Sequence, residues 1–366
     1  MKKIQIKRLI CGILSAILIL LSLVSCSSSK KLGEPLMKLG GEQITVNMYQ
    51  LWLSRVKGAY GGADDSVWDE ETEDGRTYNE IFTDFVKQNA ITFICALHEF
   101  DELGLKLPKD RINEIDEVMQ TMLEERGDGS KTTLNGILSQ YGVNYDILRE
   151  IYIIEEKLNY LGEYLYGANG AEKITETIRN EYYHDNYVRI QQIFLYTANK
   201  PVTDDEGNYV YDENGYVKKR DYTEAEIAEQ EKKADQIMTS LTAGQSFELL
   251  MASQNEDPAA SSYPNGYYFA RSSQYVEEVI TAAFEIGENE FKMVRSEYGI
   301  HIIKRLPLDE NGYAVSANQD FFSNFEETLK TEVLTARLSK YEKDIKIDED
   351  LLAKYDIKSS SANTVY

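Results

Sequence analysis

Gly299-Ile300-His301-Ile302-Ile303-Lys304-Arg305 is the stretch whose reading decides the fold. Branched aliphatics surround a single polar ring behind a glycine, the pattern of a buried strand. His301 is one of three histidines in 366 residues. A histidine between isoleucines is more often a satisfied core group than a catalyst, so its neighbours carry the argument. Upstream, the order is a helix over 246–253, a polar turn over 255–262 and the aromatic segment Gly266-Tyr267-Tyr268-Phe269. A second helix over 276–284 and Ile286-Gly287-Glu288-Asn289-Glu290 follow, and an earlier strand is expected over 188–195.

This order resembles the parvulin family of peptidyl-prolyl isomerases. The matches are Gly244-Gln245-Ser246-Phe247-Glu248-Leu249-Leu250, Asp257 in the turn, Ala282-Ala283-Phe284 and Tyr298-Gly299-Ile300-His301-Ile302-Ile303. The resemblance implies a small antiparallel sheet flanked by helices and acting on X-Pro bonds. Rotation about such a bond meets a barrier of roughly 18–20 kcal/mol because the amide loses its conjugation. It takes about 10–100 s unaided. The chemistry calls for no nucleophile, cofactor or metal; it needs an apolar slot for the ring and polar groups that favour the twisted amide.

Carried over residue by residue, His301 is the retained histidine of the family's pair and Asp257 the acid, with Glu256 as an alternative one residue away. Gln192 stands where the family has its other histidine; it keeps hydrogen bonding but does not titrate near neutral pH. The proline pocket would be rebuilt from Tyr268, Phe269, Tyr275 and Val279, with Tyr275 at the usual methionine and Val279 at the usual phenylalanine. Pro264-Asn265-Gly266-Tyr267-Tyr268-Phe269 replaces a glycine-rich segment. These departures leave two expectations: an isomerase, or a catalytically silent parvulin fold that holds unfolded clients.

The first 25 residues read as an address. Lys2, Lys3, Lys7 and Arg8 form a basic region ahead of an uncharged apolar stretch from Ile10 to Val24. That stretch is shorter than the roughly 20 residues of a spanning helix and suits a signal peptide. Leu23-Val24-Ser25-Cys26 resembles a bacterial lipobox, which implies lipidation of Cys26 and a chain anchored on the extracytoplasmic face of the membrane, with residues 26–34 as tether. Cys95 is then the one remaining cysteine besides Cys11, so no disulfide framework is expected.

The formal charge of −23 becomes −27 once the four N-terminal cations leave. Such a surface repels nucleic acid and anionic headgroups and favours basic clients. The expected partners are unfolded or partly folded exported proteins, and the sequence is compatible with a homodimer.

From Pro35 to Asn186 the pattern is helical. Thr45 is a plausible N-cap after a strand and turn. Over 78–103, Ile81, Phe82, Phe85, Val86, Ala90, Phe93, Ile94, Leu97 and Phe100 recur at three- and four-residue steps and make a broad buried face. Gly104 ends that helix and Pro108 opens the next. With Gly104-Leu105, Tyr141-Gly142-Val143 and the Ile174-Thr175-Glu176…Tyr182-Tyr183 junction, this block resembles the N-terminal chaperone domain of PrsA- and SurA-type foldases.

The expected fold class is therefore α+β, a mainly helical chaperone domain (35–186) carrying an inserted parvulin-like domain (187–308). A helix is expected over 318–347, within a segment 309–358 that the resemblance implies packs back on the N-terminal helices; a disordered tail is expected over 359–366. Between the first strand and its helix, Asp204-Asp205-Glu206-Gly207-Asn208-Tyr209 and Asp212-Glu213-Asn214-Gly215-Tyr216 read as two hairpin tips. They lack the six-residue pattern and distal glutamate of a calcium loop. A solute-binding protein would need two large α/β lobes that this strand-poor chain lacks.

Overall fold

The computed structural model describes residues 33–60, 65–72 and 74–364, so the signal-peptide and lipobox readings, Cys26 included, lie outside the described residues. The described chain forms two compact units. One consists of residues up to Ile174 together with those from Glu326 onward; the other is Thr175–Phe325.

In the first unit, β1 (Pro35–Leu39) and β2 (Glu42–Thr45) form an antiparallel hairpin that turns at Gly40, whose φ of 57° suits glycine. Helix α1 (Val46–Tyr60) follows directly. Thr45 does not cap it through its side chain: the hydroxyl is buried without a partner. Helix α2 (Tyr78–Glu102) starts at a capping box in which the Thr77 hydroxyl accepts from the Glu80 N–H and the Glu80 carboxylate from the Thr77 N–H. Phe82, Val86, Ala90, Ile94 and Leu97 are buried along it, each large side chain contributing about 1.5–3 kcal/mol. It stops where Gly104 turns left-handed. Helices α3 (Lys109–Gly127), α4 (Lys131–Leu138) and α5 (Tyr145–Tyr166) complete this part of the unit, α5 capped by Asn144. Cys95, the one free cysteine among the described residues, is buried, and burial pushes its thiol up to about 12.

The second unit begins with α6 (Glu176–Asn186), capped by Thr175, which runs straight into β3 (Tyr187–Tyr196). A stem of β4 (Asn199–Pro201) and β5 (Lys219–Asp221) precedes α7 (Glu224–Thr242), which opens on a Thr223–Glu226 capping box. Then come α8 (Phe247–Gln254), β6 (Tyr267–Ala270), α9 (Glu277–Glu285), β7 (Phe291–Arg295) and β8 (Gly299–Leu306). The four long strands form one antiparallel sheet in the order β6-β3-β8-β7. Strand side chains alternate between faces, so the register sorts the core. Val188, Ile190, Tyr267, Phe269 and Ile303 pack with Val279, Ile280 and Ala283 of α9. Ile193, Leu195, Ile300 and Ile302 pack on the opposite face with Ile237 and Leu241 of α7 and Phe247 of α8. Glycine is obligatory at position 299, where a Cβ would lie 2.2 Å from the Leu195 carbonyl oxygen and 2.8 Å from the Phe194 ring.

Residues 309–325 remain with the sheet unit. Phe322 packs tilted against Tyr187 with ring centres 5.0 Å apart, Tyr182 meets Phe325 at 5.2 Å, and the Tyr313 hydroxyl donates to Asn180 at 2.9 Å. This aromatic cluster breaks the helix expected over 318–347: a 3-10 turn (Ser316–Phe321) comes first, and α10 spans only Phe325–Leu338. The same cluster explains why the unit's limits fall at Ile174–Thr175 and Phe325–Glu326 rather than at residues 187 and 308.

Beyond Glu326 the chain is back in the helical unit, where the Arg337 guanidinium pairs with buried Glu99 at 2.6 Å. Strand β9 (Lys346–Ile347) joins β1, and the short helix α11 (Glu349–Leu352) follows. The tail expected to be disordered from residue 359 is docked as far as it is described: the Asn363 N–H donates to the Ser54 carbonyl at 2.9 Å and Asn363 is buried. Just ahead of it, Ile357 is buried and the Lys57 ammonium donates to the Lys358 carbonyl at 2.7 Å. These partners lie some 300 positions apart, beyond any local sequence signal.

Candidate active site

Strands β3 and β8 pair from Arg189–Leu306 to Tyr196–Gly299, with Gln192 opposite Ile303 and Phe194 opposite His301. The register puts Gln192, Phe194 and His301 on the same face as Tyr267 and Phe269. β6 pairs β3 only as far as Ile190, which leaves the outer edge of β3 unpaired from there on. The turn after α8 fills the gap. The Glu256 N–H donates to the Phe194 carbonyl at 2.8 Å and the Phe194 N–H to Asn255 Oδ1 at 2.7 Å, while the Tyr196 N–H donates to Glu256 Oε2 at 3.0 Å. Sewn to the strand this way, the turn presents Asp257, whose Oδ1 accepts the Ala259 N–H at 2.9 Å.

Gln192 is the hub. Its Nε2 donates to Asp257 Oδ2 at 2.7 Å and to the Tyr275 hydroxyl at 2.8 Å, and its Oε1 faces His301 Nδ1 at 3.2 Å. Asp257 Oδ2 also accepts the Tyr267 hydroxyl at 2.6 Å, and His301 Nε2 lies 2.8 Å from Ser296 Oγ. Directions follow from the donors available. An amide oxygen can only accept, so the imidazole proton is on Nδ1 and Nε2 accepts from the serine hydroxyl. The Tyr275 oxygen accepts from Gln192, which leaves its own proton free for an outside acceptor.

Burial settles which groups face outward. His301 is 2% and Gln192 3% exposed, whereas Asp257 and Tyr275 are half-buried. The Phe194 ring covers the imidazole, with centres 4.6 Å apart. Burial pushes His301 down to about 4, with the charge of Asp257 opposing the shift, so the ring is neutral at pH 7. Burial, followed by the bond to Asp257, raises the Tyr267 hydroxyl well above the ordinary tyrosine range, and burial raises Tyr275.

Of the expected site residues, His301, Gln192 and Asp257 come together, although His301 and Asp257 do not meet: Gln192 stands between them. Glu256 is drawn into a separate cluster with Gln230 and Lys233. The four pocket residues do not share one wall. Tyr268 pairs with Arg189 and so points to the other face, where its hydroxyl meets Asp309 and Arg189. Phe269 and Val279 are buried core, and Phe269 stacks on Tyr275 at 4.7 Å. Sequence reasoning missed Tyr267 and Ser296 as partners in the network. Strand alternation could have found Tyr267; Ser296 carries no signal in the sequence.

Residues 174–306 match the family model described as the PPIC-type PPIASE domain. A foldase protein PrsA from Halalkalibacterium halodurans is 24% identical over 260 residues, which cover 69% of this chain and 63% of that protein. The chain thus spans less than two thirds of the length of that relative. Among solved structures, PrsA from Bacillus subtilis is 21% identical with a TM-score of 0.24, covering 76% of this chain and 93% of the other. A peptidylprolyl isomerase (PrsA) from Bacillus cereus is 20% identical with a TM-score of 0.27, covering 79% and 96%.

Proposed function

We propose that the protein is a divergent PrsA-like parvulin foldase, an extracytoplasmic peptidyl-prolyl isomerase that assists the folding of exported proteins; the match of residues 174–306 to the PPIC-type domain supports the reading. The observation that carries this is the unbroken hydrogen-bonded chain Ser296–His301–Gln192–Asp257, with Tyr267 and Tyr275 attached, on one face of the central strands. Of the groups bonded to Gln192, Asp257 and Tyr275 are the half-buried ones that a client can touch, so they are the catalytic pair. The Tyr275 hydroxyl offers a proton to the prolyl nitrogen, which gains basicity as the amide twists. Asp257 supplies the fixed charge beside the carbonyl, whose polarity falls along the same path. Gln192 and His301 are positioning residues that fix the orientation of both.

The reading extends to the N-terminus. Residues 1–25 are removed on export and Cys26 is lipidated, which tethers the chain to the membrane; mass spectrometry of the N-terminal peptide tests this. Among the described residues no helix is long and apolar enough to cross a membrane. Clients are unfolded or partly folded exported polypeptides.

A second reading has one observation in its favour. Phe269 and Val279 are buried and Tyr268 faces away, so of the four residues expected to seat a prolyl ring only Tyr275 remains half-buried on the site face. On that reading the protein holds clients without isomerising them. Exchange spectroscopy on an X-Pro peptide separates the two: enhanced cis–trans exchange is expected at catalytic amounts, and none at stoichiometric protein refutes the isomerase.

A further inference from the structure

Residues 199–221 form a forked arm. The stem pairs Asn199 with Asp221, Lys200 with Arg220 and Pro201 with Lys219, and closes where the Val202 N–H donates to the Lys218 carbonyl at 2.8 Å. Val210 sits in the fork, its N–H donating to Val202 at 2.9 Å and its carbonyl accepting from Lys218 at 2.8 Å. Each branch is a tip of one design. In the first, Asp204 Oδ1 accepts the N–H of Glu206 at 3.0 Å and of Asn208 at 2.9 Å; in the second, Asp212 Oδ1 accepts those of Asn214 and Tyr216, both at 2.9 Å. Gly207 and Gly215 take the left-handed turn at φ 85° and 83°.

Two things stand on this frame. Tyr209, Tyr211 and Tyr216 are 55%, 57% and 73% exposed, large aromatic surfaces held in water by a fixed backbone. Between Thr203 and Val217 there are five carboxylates and no cation, and among the described residues none of the five is ion-paired. Of the stem's cations, Lys200 and Arg220 are both held by Glu226. Lys218 and Lys219 lie at the stem, away from the tips. Among the described residues no group of acids is arranged to hold a metal ion.

We propose that the forked arm is a docking surface for an extended, Lys/Arg-rich segment of another polypeptide. Charge complementarity selects that occupant: ammonium and guanidinium groups pair with Asp205, Glu206 and Glu213 and lie over the tyrosine rings. A second copy of this chain, with a formal charge of −23 and the same acidic tips, is repelled. The surface is independent of the sheet face and holds whether or not that face isomerises proline.

A fluorescent, proline-free lysine-rich peptide titrated against the full chain tests it without drawing on isomerase activity. The parent binds, and binding weakens as salt rises from about 50 to about 300 mM. The variant carrying Asp205→Asn, Glu206→Gln and Glu213→Gln binds about tenfold more weakly, as does the one carrying Tyr209→Ser, Tyr211→Ser and Tyr216→Ser. Glu102→Gln, Glu117→Gln and Glu125→Gln together change the net charge equally at exposed helix positions and leave affinity within about twofold of the parent. The proposal is overturned if the parent fails to bind, if the arm variants bind like the parent, if the helix variant loses as much, or if a glutamate-rich peptide binds equally well.

Discussion

Protonation of His301 is the most exacting perturbation of the site. Its imidazole is 2% exposed and burial holds it at about 4 against an ordinary 6.5, with Asp257 opposing. The unfolded chain therefore binds this proton more readily than the folded one, so the contribution is complete above pH 6.5 and is lost as pH falls towards 4. A shift of that size is worth about 3 kcal/mol in all, of which about 2.5 kcal/mol is gone by about pH 4.5. The cause is local: both ring nitrogens already have partners, and a second ring proton would take from Ser296 the nitrogen its hydroxyl donates to. With three histidines in the chain, NMR titration resolves His301 directly. Urea unfolding at neutral and acid pH, for the parent and for His301→Gln, isolates its share from that of the carboxylates. A ring titrating near 6.5, or an acid slope unchanged by His301→Gln, would refute the reasoning.

Gln192→Leu keeps the volume but strands the His301 Nδ1–H and removes a bond to a carboxylate; a loss of about 2–4 kcal/mol is expected in urea unfolding. Tyr275→Phe removes the outward hydroxyl, and isomerisation of an X-Pro peptide should slow about tenfold while the fold, read by circular dichroism, is kept. In the helical unit, Arg337→Met leaves buried Glu99 with only Lys340 and Tyr341 as partners, for a cost of about 3 kcal/mol in urea unfolding. Truncation after Asp356 removes buried Ile357 and the Asn363–Ser54 bond, again for about 3 kcal/mol; an unchanged unfolding midpoint would contradict the docked tail.

Much of this was legible in the chain because its signals are local. Thr77 with Glu80 and Thr223 with Glu226 announce two helix starts, and the Ile-rich run around His301 announces the central strand. What failed is what distance decides. Tyr268 and Phe269 are consecutive on a strand and cannot line the same wall, yet the aromatic run invites reading them together. Strand β7 has charged Lys292 and Arg295 among its five residues and carries no alternation that marks it as paired. The helix expected over 318–347 has a sound periodicity, but Phe322 and Phe325 are claimed by tyrosines at 182, 183 and 187. In the arm the tips are written in Asp and Gly, whereas the fork depends on Val202, Val210 and Lys218 meeting. At the site, nothing in the order of residues says that a glutamine would separate the histidine from the acid.

The central claim is that Asp257 and Tyr275, oriented through Gln192, speed rotation about an X-Pro bond. Measuring cis–trans exchange of one X-Pro peptide with the parent, Asp257→Asn and Tyr275→Phe at equal protein concentration tests it most directly. The account predicts acceleration by the parent and a loss of about tenfold or more in each variant. A parent that leaves the exchange rate untouched, or either variant as active as the parent, would contradict it.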